Sequence, residues 1–455
     1  MKEFTPEYIE HLHHIIGEHS EEAARAALSE LHPADIADLY RDLDIADAEY
    51  LFLLLDEETQ ADVLMELDED ARVRLLSKMD AEDIAKQIEH LDTDDAVDII
   101  QDLDQKERDA ILSHMDDVEQ AGDIIDLLQY DEDTAGGLMG TEMIVVNENW
   151  SMPECIKQMR MQAEDMDEVY YVYVVDNDER LRGTLPLTKL ITHPSVSKIK
   201  HVMETDPISV KVDTPIDEVA LDFEKYDLVA MPVIDPIGRL LGRITVDDVM
   251  DKVRDSSERD YQLASGLSGD VESDDNLWKQ TKVRLPWLLM GMVGGLCNSM
   301  ILGRFEGGFA VDPALALFIP LIGGTGGNVG TQSSAIVVQG LANGSLDIRK
   351  SAAQLLRELG VGLLNGSIIA LLVLVYNFFT IGDGHLATTY AVSLSLFCVV
   401  MFASVFGTFV PLTLEKFKID PALATGPFIS ITNDIIGMVI YMGISTWLLT
   451  LFHVI

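Results

Sequence analysis

Apolar positions follow one period in the first part of this chain, another in the middle, and none in the last part. From Ser20 to about Asp126 they return at helical spacing in short blocks, each opened by Asp, Thr or Pro, residues that start helices. The blocks around Pro33-Ala34-Asp35-Ile36, Ala81-Glu82-Asp83-Ile84 and Thr93-Asp94-Asp95-Ala96 share one pattern, which predicts an all-α, solenoid-like stack of short helices. From about Gly140 to Asp251, β-rich runs such as Tyr170–Val175 and Ala230–Ile234 alternate with helical stretches. Two halves of that region read alike: strand, helix, a strand ending in a Gly-containing turn (Gly183, Gly238), strand, helix. Beyond Leu285 the apolar runs lengthen to the roughly 20 residues that cross a hydrocarbon core. Five segments qualify, near 285–303, 313–341, 359–379, 390–412 and 423–452. The predicted fold is therefore multi-domain: an acidic helical domain over 1–134, a tandem α/β module over 135–252, a connecting stretch over 253–282, and a five-helix transmembrane domain over 283–455.

Charge sharpens this division. The 455 residues carry 78 Asp and Glu against 32 Lys and Arg, a net charge of −46, and from Trp278 onward acids and bases nearly balance. Essentially all the excess lies on the first part, which excludes a single soluble domain. It also argues against a nucleic-acid partner, since phosphate is drawn to positive surfaces, and it makes cations the natural ligands. With the N-terminus inside, the inner flanks of the spans carry Lys279, Lys282, Arg284, Arg349, Lys350, Arg357, Lys416 and Lys418, and the outer loops only Arg304. That bias predicts a multi-pass protein of the cell (plasma) membrane with a cytoplasmic N-terminus and Ile455 outside. The polar start, Met1–Tyr8, is unlike a secretory signal, and Cys155, Cys297 and Cys398 are too far apart for a disulfide framework or a CxxC motif.

Within the spans, the second reads Pro320-Leu-Ile-Gly-Gly-Thr-Gly-Gly-Asn328-Val-Gly-Thr-Gln332 and the fifth Ala424-Thr-Gly-Pro-Phe-Ile-Ser-Ile-Thr432-Asn433-Asp434. Their glycines admit close backbone approach, local unwinding or small-residue helix packing. Asp434 is the only carboxylate well inside a predicted span, at a cost of at least about 2.5 kcal/mol, and so marks an ion or proton path. Asn328, Gln332, Thr432 and Asn433 are candidates for the same path, or for helix-to-helix hydrogen bonds. Asp312-Pro-Ala-Leu-Ala316 and Asp420-Pro-Ala-Leu-Ala424 open these two antiparallel spans as an internal echo, a pattern that points to a transport site between them. In the acidic half, Asp94 and Asp98 stand one helical turn apart and suit magnesium or calcium, or form a solvated pair. His11, His13, His14 and His19 read as exposed terminal residues rather than a metal site.

The tandem α/β pattern resembles a pair of cystathionine β-synthase (CBS) domains. Gly242-Arg-Ile-Thr245-Val-Asp-Asp248 is similar to the element with which such domains hold a nucleotide, although Thr245 and Asp248 equally suit a helix cap. The first copy, Gly183-Thr-Leu-Pro-Leu-Thr-Lys189, lacks both groups, leaving at most one ATP-type site per chain. Gly326-Gly-Asn328-Val-Gly330-Thr-Gln332 and Ala424-Thr-Gly-Pro-Phe428 with Asn433-Asp434 then extend the resemblance, over nearly the whole chain, to the MgtE family of magnesium channels. The resemblance implies a homodimeric channel in the lipid bilayer for Mg2+ uptake, with Asp434 holding the ion in the pore beside Asn433, Asn328 and Gln332. It implies closure by cytoplasmic Mg2+ at Asp94, Asp98, Asp247 and Asp248, a connecting, plug-like helix over 253–282, and no enzymatic activity. Gln339 stands where the family has arginine, and Ser256-Ser257-Glu258-Arg259-Asp260 is less acidic than the usual connecting helix, which affects ion sites there. A proton-coupled divalent-cation carrier and a membrane-anchored nucleotide sensor are the alternatives.

Overall fold

We describe the chain from a computed structural model. It describes all residues except 1–3, 5, 19, 30, 42, 165, 167–168, 195–196, 270, 272–274, 306–311, 343–345, 347–350, 381–385, 425 and 453–455. His19, Arg349, Lys350, Thr425 and Ile455, invoked above, lie outside the described residues. Two compact units emerge, Met1–Lys252 and Val253–Ile455.

The first unit begins with short helices: α1 (Pro6–Gly17), α2 (Glu21–Leu28), α3 (Pro33–Arg41), α4 (Ile45–Phe52), α5 (Glu57–Glu66), α6 (Glu69–Leu76), α7 (Ala81–Ile88), α8 (Thr93–Gln101), α9 (Gln105–Leu112) and α10 (Val118–Leu127). Their N-cap positions from α4 to α9 are Asp44, Asp56, Asp68, Asp80, Asp92 and Asp104, one aspartate every twelfth residue. Most of these carboxylates accept backbone N–H groups of the first turn, as Asp80 does from Asp83 at 2.9 Å and Asp104 from Glu107 at 2.9 Å. Such caps contribute about 1 kcal/mol each, so a few of the many acidic residues stabilise helix starts as well as facing solvent. Alternate helices pack on one another, α3 on α5, α5 on α7, α7 on α9 and α8 on α10, which is the stacking expected of the repeat. Leu39, Leu51, Phe52, Leu64, Ile88 and Ile99 are fully buried in it. His11, His13 and His14 are exposed, with His13 Nδ1 3.0 Å from Asp47 and His14 3.6 Å from Glu18.

The α/β region holds two sheets. In the first, β1 (Ile144–Asn147) runs parallel to β2 (Val172–Val175), which pairs antiparallel with β3 (Leu181–Leu185) and through it with β4 (Glu204–Thr205). In the second, β5 (Val210–Lys211), β6 (Ala230–Ile234) and β7 (Leu240–Thr245) repeat that order. Helices α11 (Met152–Gln162), α12 (Leu187–Thr192) and α13 (Ile216–Tyr226) complete the two halves, and α14 (Val246–Ala264) follows β7 directly. One expectation is corrected. Gly238 occupies its turn at φ 89°, but Gly183 lies inside β3, where a Cβ would come 2.2 Å from the Glu204 carbonyl oxygen of the neighbouring strand. The corresponding turn places Glu179 at φ 61° instead.

In the second unit five helices are long and apolar enough to cross a membrane: α15 (Leu277–Arg304), α16 (Ile319–Ala342), α17 (Ser351–Thr380), α18 (Leu386–Lys416) and α19 (Pro427–Leu451). The repeated Asp-Pro-Ala-Leu-Ala forms the same local structure twice. Pro313–Phe318 and Pro421–Ala424 are 3-10 turns, and the Asp312 and Asp420 carboxylates accept the Ala314 and Ala422 amides at 3.0 and 2.8 Å. The echo is thus explained locally as a capped entry turn. Helix α16 runs without unwinding, so its glycines serve close approach. A Cβ on Gly407 of α18 would meet the Gly330 carbonyl oxygen at 2.3 Å, and one on Gly326 would meet Val399 at 2.9 Å. Helix α17 starts eight residues before the apolar run anticipated there, because polar residues continue the helix beyond the hydrophobic stretch. Glu358 is consequently buried inside it, accepting hydrogen bonds from the Ser333 hydroxyl at 2.6 Å and the Ser404 hydroxyl at 2.7 Å. Asp434 is therefore not the sole enclosed carboxylate of the membrane half.

Candidate functional site

Helix α16 presents two faces. Gly323 and Gly327 turn toward α19, where a Cβ on Gly327 would lie 3.2 Å from Asp434 Oδ1 and one on Gly323 3.7 Å from it. One position along, Gly324, Asn328 and Gln332 form an exposed stripe at i, i+4 spacing. The absence of side chains at 323 and 327 lets Asp434 reach the border of this stripe. Asp434 is half-buried, and its Oδ1 is enclosed with no hydrogen-bond partner. A carboxylate oxygen left in that state at membrane depth calls for a cation or water. Polar side chains open to the outside of a span likewise call for a wet or protein-covered surface. Asn433 is placed differently from Asn328 and Gln332: it is buried, both its amide atoms lack partners, and it packs on Gly330 between α16 and α19.

A second constellation lies in the first unit, where α8, the segment before β1, β7 and the start of α14 enclose a cavity of about 120 Å3. Asp92, Asp94, Asp95, Glu142, Asp247 and Asp248 line it, with Arg243 as the cation among them. One oxygen each from Asp92, Asp94 and Glu142 lie within 4.8 Å of one another, a spread suited to calcium or to magnesium that keeps part of its water, since oxygens across a bare Mg2+ stand about 4.2 Å apart. Gly140 lets Asp94 in, because a Cβ there would sit 2.9 Å from its carboxylate. Burial, then the charge of Asp248, holds the Asp94 carboxyl well above the usual range. The same causes push Asp95 up to about 7. Burial raises Asp248 to about 6 against the hydrogen bonds Thr245 donates to it, and burial with the charge of Asp92 raises Glu142. Four carboxyl groups that resist ionising together are the donor set a divalent cation stabilises.

Of the four residues that the resemblance implied for a regulatory ion, Asp94, Asp247 and Asp248 line this cavity. Asp98, one turn further along α8, does not line the cavity and lies 3.7 Å from Lys252. Thr245 donates its backbone N–H to Asp248 at 3.2 Å and its hydroxyl to the same oxygen, which is half of a capping box at the start of α14. Gly242 faces the Gly140 carbonyl oxygen, 2.6 Å from where a Cβ would be. Asp95 falls within the run Asp94 to Asp98 that the resemblance marks out, whereas Asp92, Glu142 and Arg243 were not anticipated. Asp92 carries the one available signal, as a member of the twelve-residue aspartate series.

These features define a multi-pass membrane protein that joins an acidic helical domain and tandem CBS domains to a five-helix membrane domain. Family models match over the same regions: the MgtE intracellular N domain at residues 31–133, CBS domains at 135–195 and 199–255, and a divalent cation transporter domain at 319–444. The chain is 34% identical over 329 residues to the magnesium transporter MgtE of Thermus thermophilus, covering 71% of this chain and 72% of that protein. It is 33% identical over 336 residues to the magnesium transporter MgtE of Enterococcus faecalis, covering 73% of each. Among solved structures, the cytosolic domain of the Mg2+ channel MgtE in complex with ATP matches with 31% identity and a TM-score of 0.51, over 54% of this chain and 99% of that one. The chain belongs to the MgtE family of magnesium transporters.

Proposed function

We propose that this transporter is a Mg2+ channel whose ion passes between α16 and α19, with Asp434, Asn328 and Gln332 facing it and Asn433 supporting α19 from behind. The observation that carries this reading is the unpartnered Asp434 oxygen beside the open Gly324–Asn328–Gln332 stripe. Magnesium sheds water reluctantly, so a carboxylate and two amides selecting a largely hydrated ion by charge and width fit it better than a closed cage. A second copy of the chain, bringing its own stripe to the first across a two-fold axis, would cover these polar groups in a homodimer. The positive flanks place the N-terminus in the cytoplasm of a cell whose plasma membrane holds the protein.

Mg2+ filling the acidic cavity closes the channel by holding the helical domain, residues 1–134, on the CBS domains, residues 135–252, and acting through α14. Asp94, Asp247 and Asp248, joined by Asp92, Asp95 and Glu142, supply the oxygens, and Asp98 acts through its ion pair with Lys252. ATP is a candidate ligand of the CBS domains near Gly242, Thr245 and Asp248, in keeping with the ATP-bound relative. The relatives are transporters, and the chain acts here as one rather than as an enzyme. Unitary currents through purified protein in a bilayer test the channel against a coupled carrier. In the same assay Asp434→Ala abolishes Mg2+ flux while the protein stays folded; selective flux at the wild-type rate would refute the pore assignment.

A further inference from the structure

Asp92 breaks the pattern of its own series. Asp44, Asp56, Asp68, Asp80 and Asp104 each cap their helix with the side chain, but Asp92, in the same N-cap position of α8 and with the same extended backbone, makes no side-chain cap. Its carboxylate is directed to Arg243, 2.9 Å from the guanidinium. The orphaned start of α8 is served from another part of the chain: Glu142 accepts the Thr93 amide at 3.0 Å and the Thr93 hydroxyl at 3.1 Å. Arg243 ties that accepting segment in as well, giving a hydrogen bond to the Glu142 carbonyl oxygen and lying over the Tyr170 ring at 5.6 Å. The Arg243 side chain is 10% exposed, so its charge acts where water screens it weakly.

We propose that Arg243 is a resident counter-ion that sets how much Mg2+ the regulatory cavity needs. It sits on β7 and neutralises Asp92 of the helical domain, so part of the charge holding α8 against the CBS domains is present before any ion binds. Removing it leaves the same carboxylates facing one another with one cation fewer, and Mg2+ must supply the difference. The inference rests on reading the acidic cavity as the regulatory ion site. Because Asp92 is itself partly exposed, the ion pair is of the modest kind, and its loss moves the Mg2+ midpoint of docking upward by about three- to tenfold.

The test is amide hydrogen exchange of residues 93–101 in the full-length protein in detergent, titrated with MgCl2, for wild type, Arg243→Gln and Arg243→Lys. The expected result is a wild-type midpoint, a midpoint raised about three- to tenfold in Arg243→Gln with full protection regained at saturating Mg2+, and Arg243→Lys within about twofold of wild type. A midpoint unchanged or lowered in Arg243→Gln overturns the proposal. So does an Arg243→Lys variant that loses as much as Arg243→Gln, since the charge would then be irrelevant. If the wild type does not respond to Mg2+, the regulatory reading fails by itself, and lower ion-free protection in Arg243→Gln still supports the counter-ion.

Discussion

Gly426 is the residue where a single added methyl group tests whether the end of α14 is coupled to α19 in the proposed gating. Its backbone lies at φ 55°, ψ −123°, a region that side chains occupy only at a cost of about 1–3 kcal/mol. A Cβ there would stand 2.1 Å from the Ala264 carbonyl oxygen at the end of α14, so the two backbones must separate by about 1 Å to reach van der Waals contact. The contact is reciprocal, since a Cβ on Gly266, at φ 81°, would meet Pro427 Cγ at 2.5 Å. Pro427 begins α19, which carries Asp434 two turns further on. A penalty of about 2 kcal/mol on this contact shifts its equilibrium roughly thirtyfold. On the proposed gating, Gly426→Ala is therefore expected to raise the Mg2+ concentration that halts transport by more than about tenfold, read as Mg2+ flux from proteoliposomes at stepped Mg2+. Gly443→Ala is the control, because nothing lies within 4 Å of the added Cβ. Closure of Gly426→Ala at the wild-type concentration, with Gly443→Ala unchanged, would refute the idea that these backbones must touch for the channel to close.

Ion-free docking of α8 should strengthen as pH falls. Asp95 and Asp248 are raised to about 7 and about 6, and Asp94 and Glu142 are raised too. Acids raised in the docked state bind protons more tightly there than when released, so their repulsion is complete above about pH 7 and relieved as pH drops toward the ordinary carboxylate range. Protection factors of residues 93–101 without Mg2+, with the intrinsic base-catalysed exchange divided out, should rise from about pH 8 to pH 6, and saturating Mg2+ should flatten that dependence. Glu358→Leu strands the buried Ser333 and Ser404 hydroxyls and should destabilise the membrane domain by about 2–5 kcal/mol, whereas Glu358→Gln keeps an acceptor and should cost under about 1.5 kcal/mol; size-exclusion melting curves distinguish the two. Gly407→Ala drives a Cβ into the Gly330 carbonyl and should cost about 1–3 kcal/mol in the same measurement.

The spans and the alternation of strand and helix were legible because they are local: length and period declare them without knowledge of what they pack on. Asp434 was legible for a related reason, since a carboxylate among some twenty apolar residues stands out on one line of text. Glu358 did not, because it lies at the edge of the hydrophobic run, and only its helix continuing past that edge buries it beneath Ser333 and Ser404. The pairing of Asp94 with Asp98 followed the helical repeat, but docking turns Asp98 to Lys252 and Asp94 to carboxylates far along the chain. Glu142 and Arg243 lie 50 and 151 positions from Asp92 in the sequence, and no periodicity within one element can relate them. The glycines of α16 were visible, but not their division into a packed face and an open one, which depends on where α18 and α19 lie.

The twelve-residue spacing of the aspartate caps also makes the helical domain a ruler. Asp92 meets Arg243 because a fixed stretch of chain separates it from Glu142, and within that stretch the period continues through Asp104 before α10 leads into the CBS domains. Excising one period there would bring Asp80 to the spacing now held by Asp92, but on a helix belonging to the opposite layer of the stack. Excising two would restore the layer and offer Asp68 to the arginine. Insertions or deletions before Asp92 leave that spacing alone, but α7 packs on α9 and Arg72 pairs with Asp102 at 2.8 Å, so they too must keep the stacking period. Change in this domain is thus counted in whole periods, and after Asp92 it is also counted against the distance to Arg243.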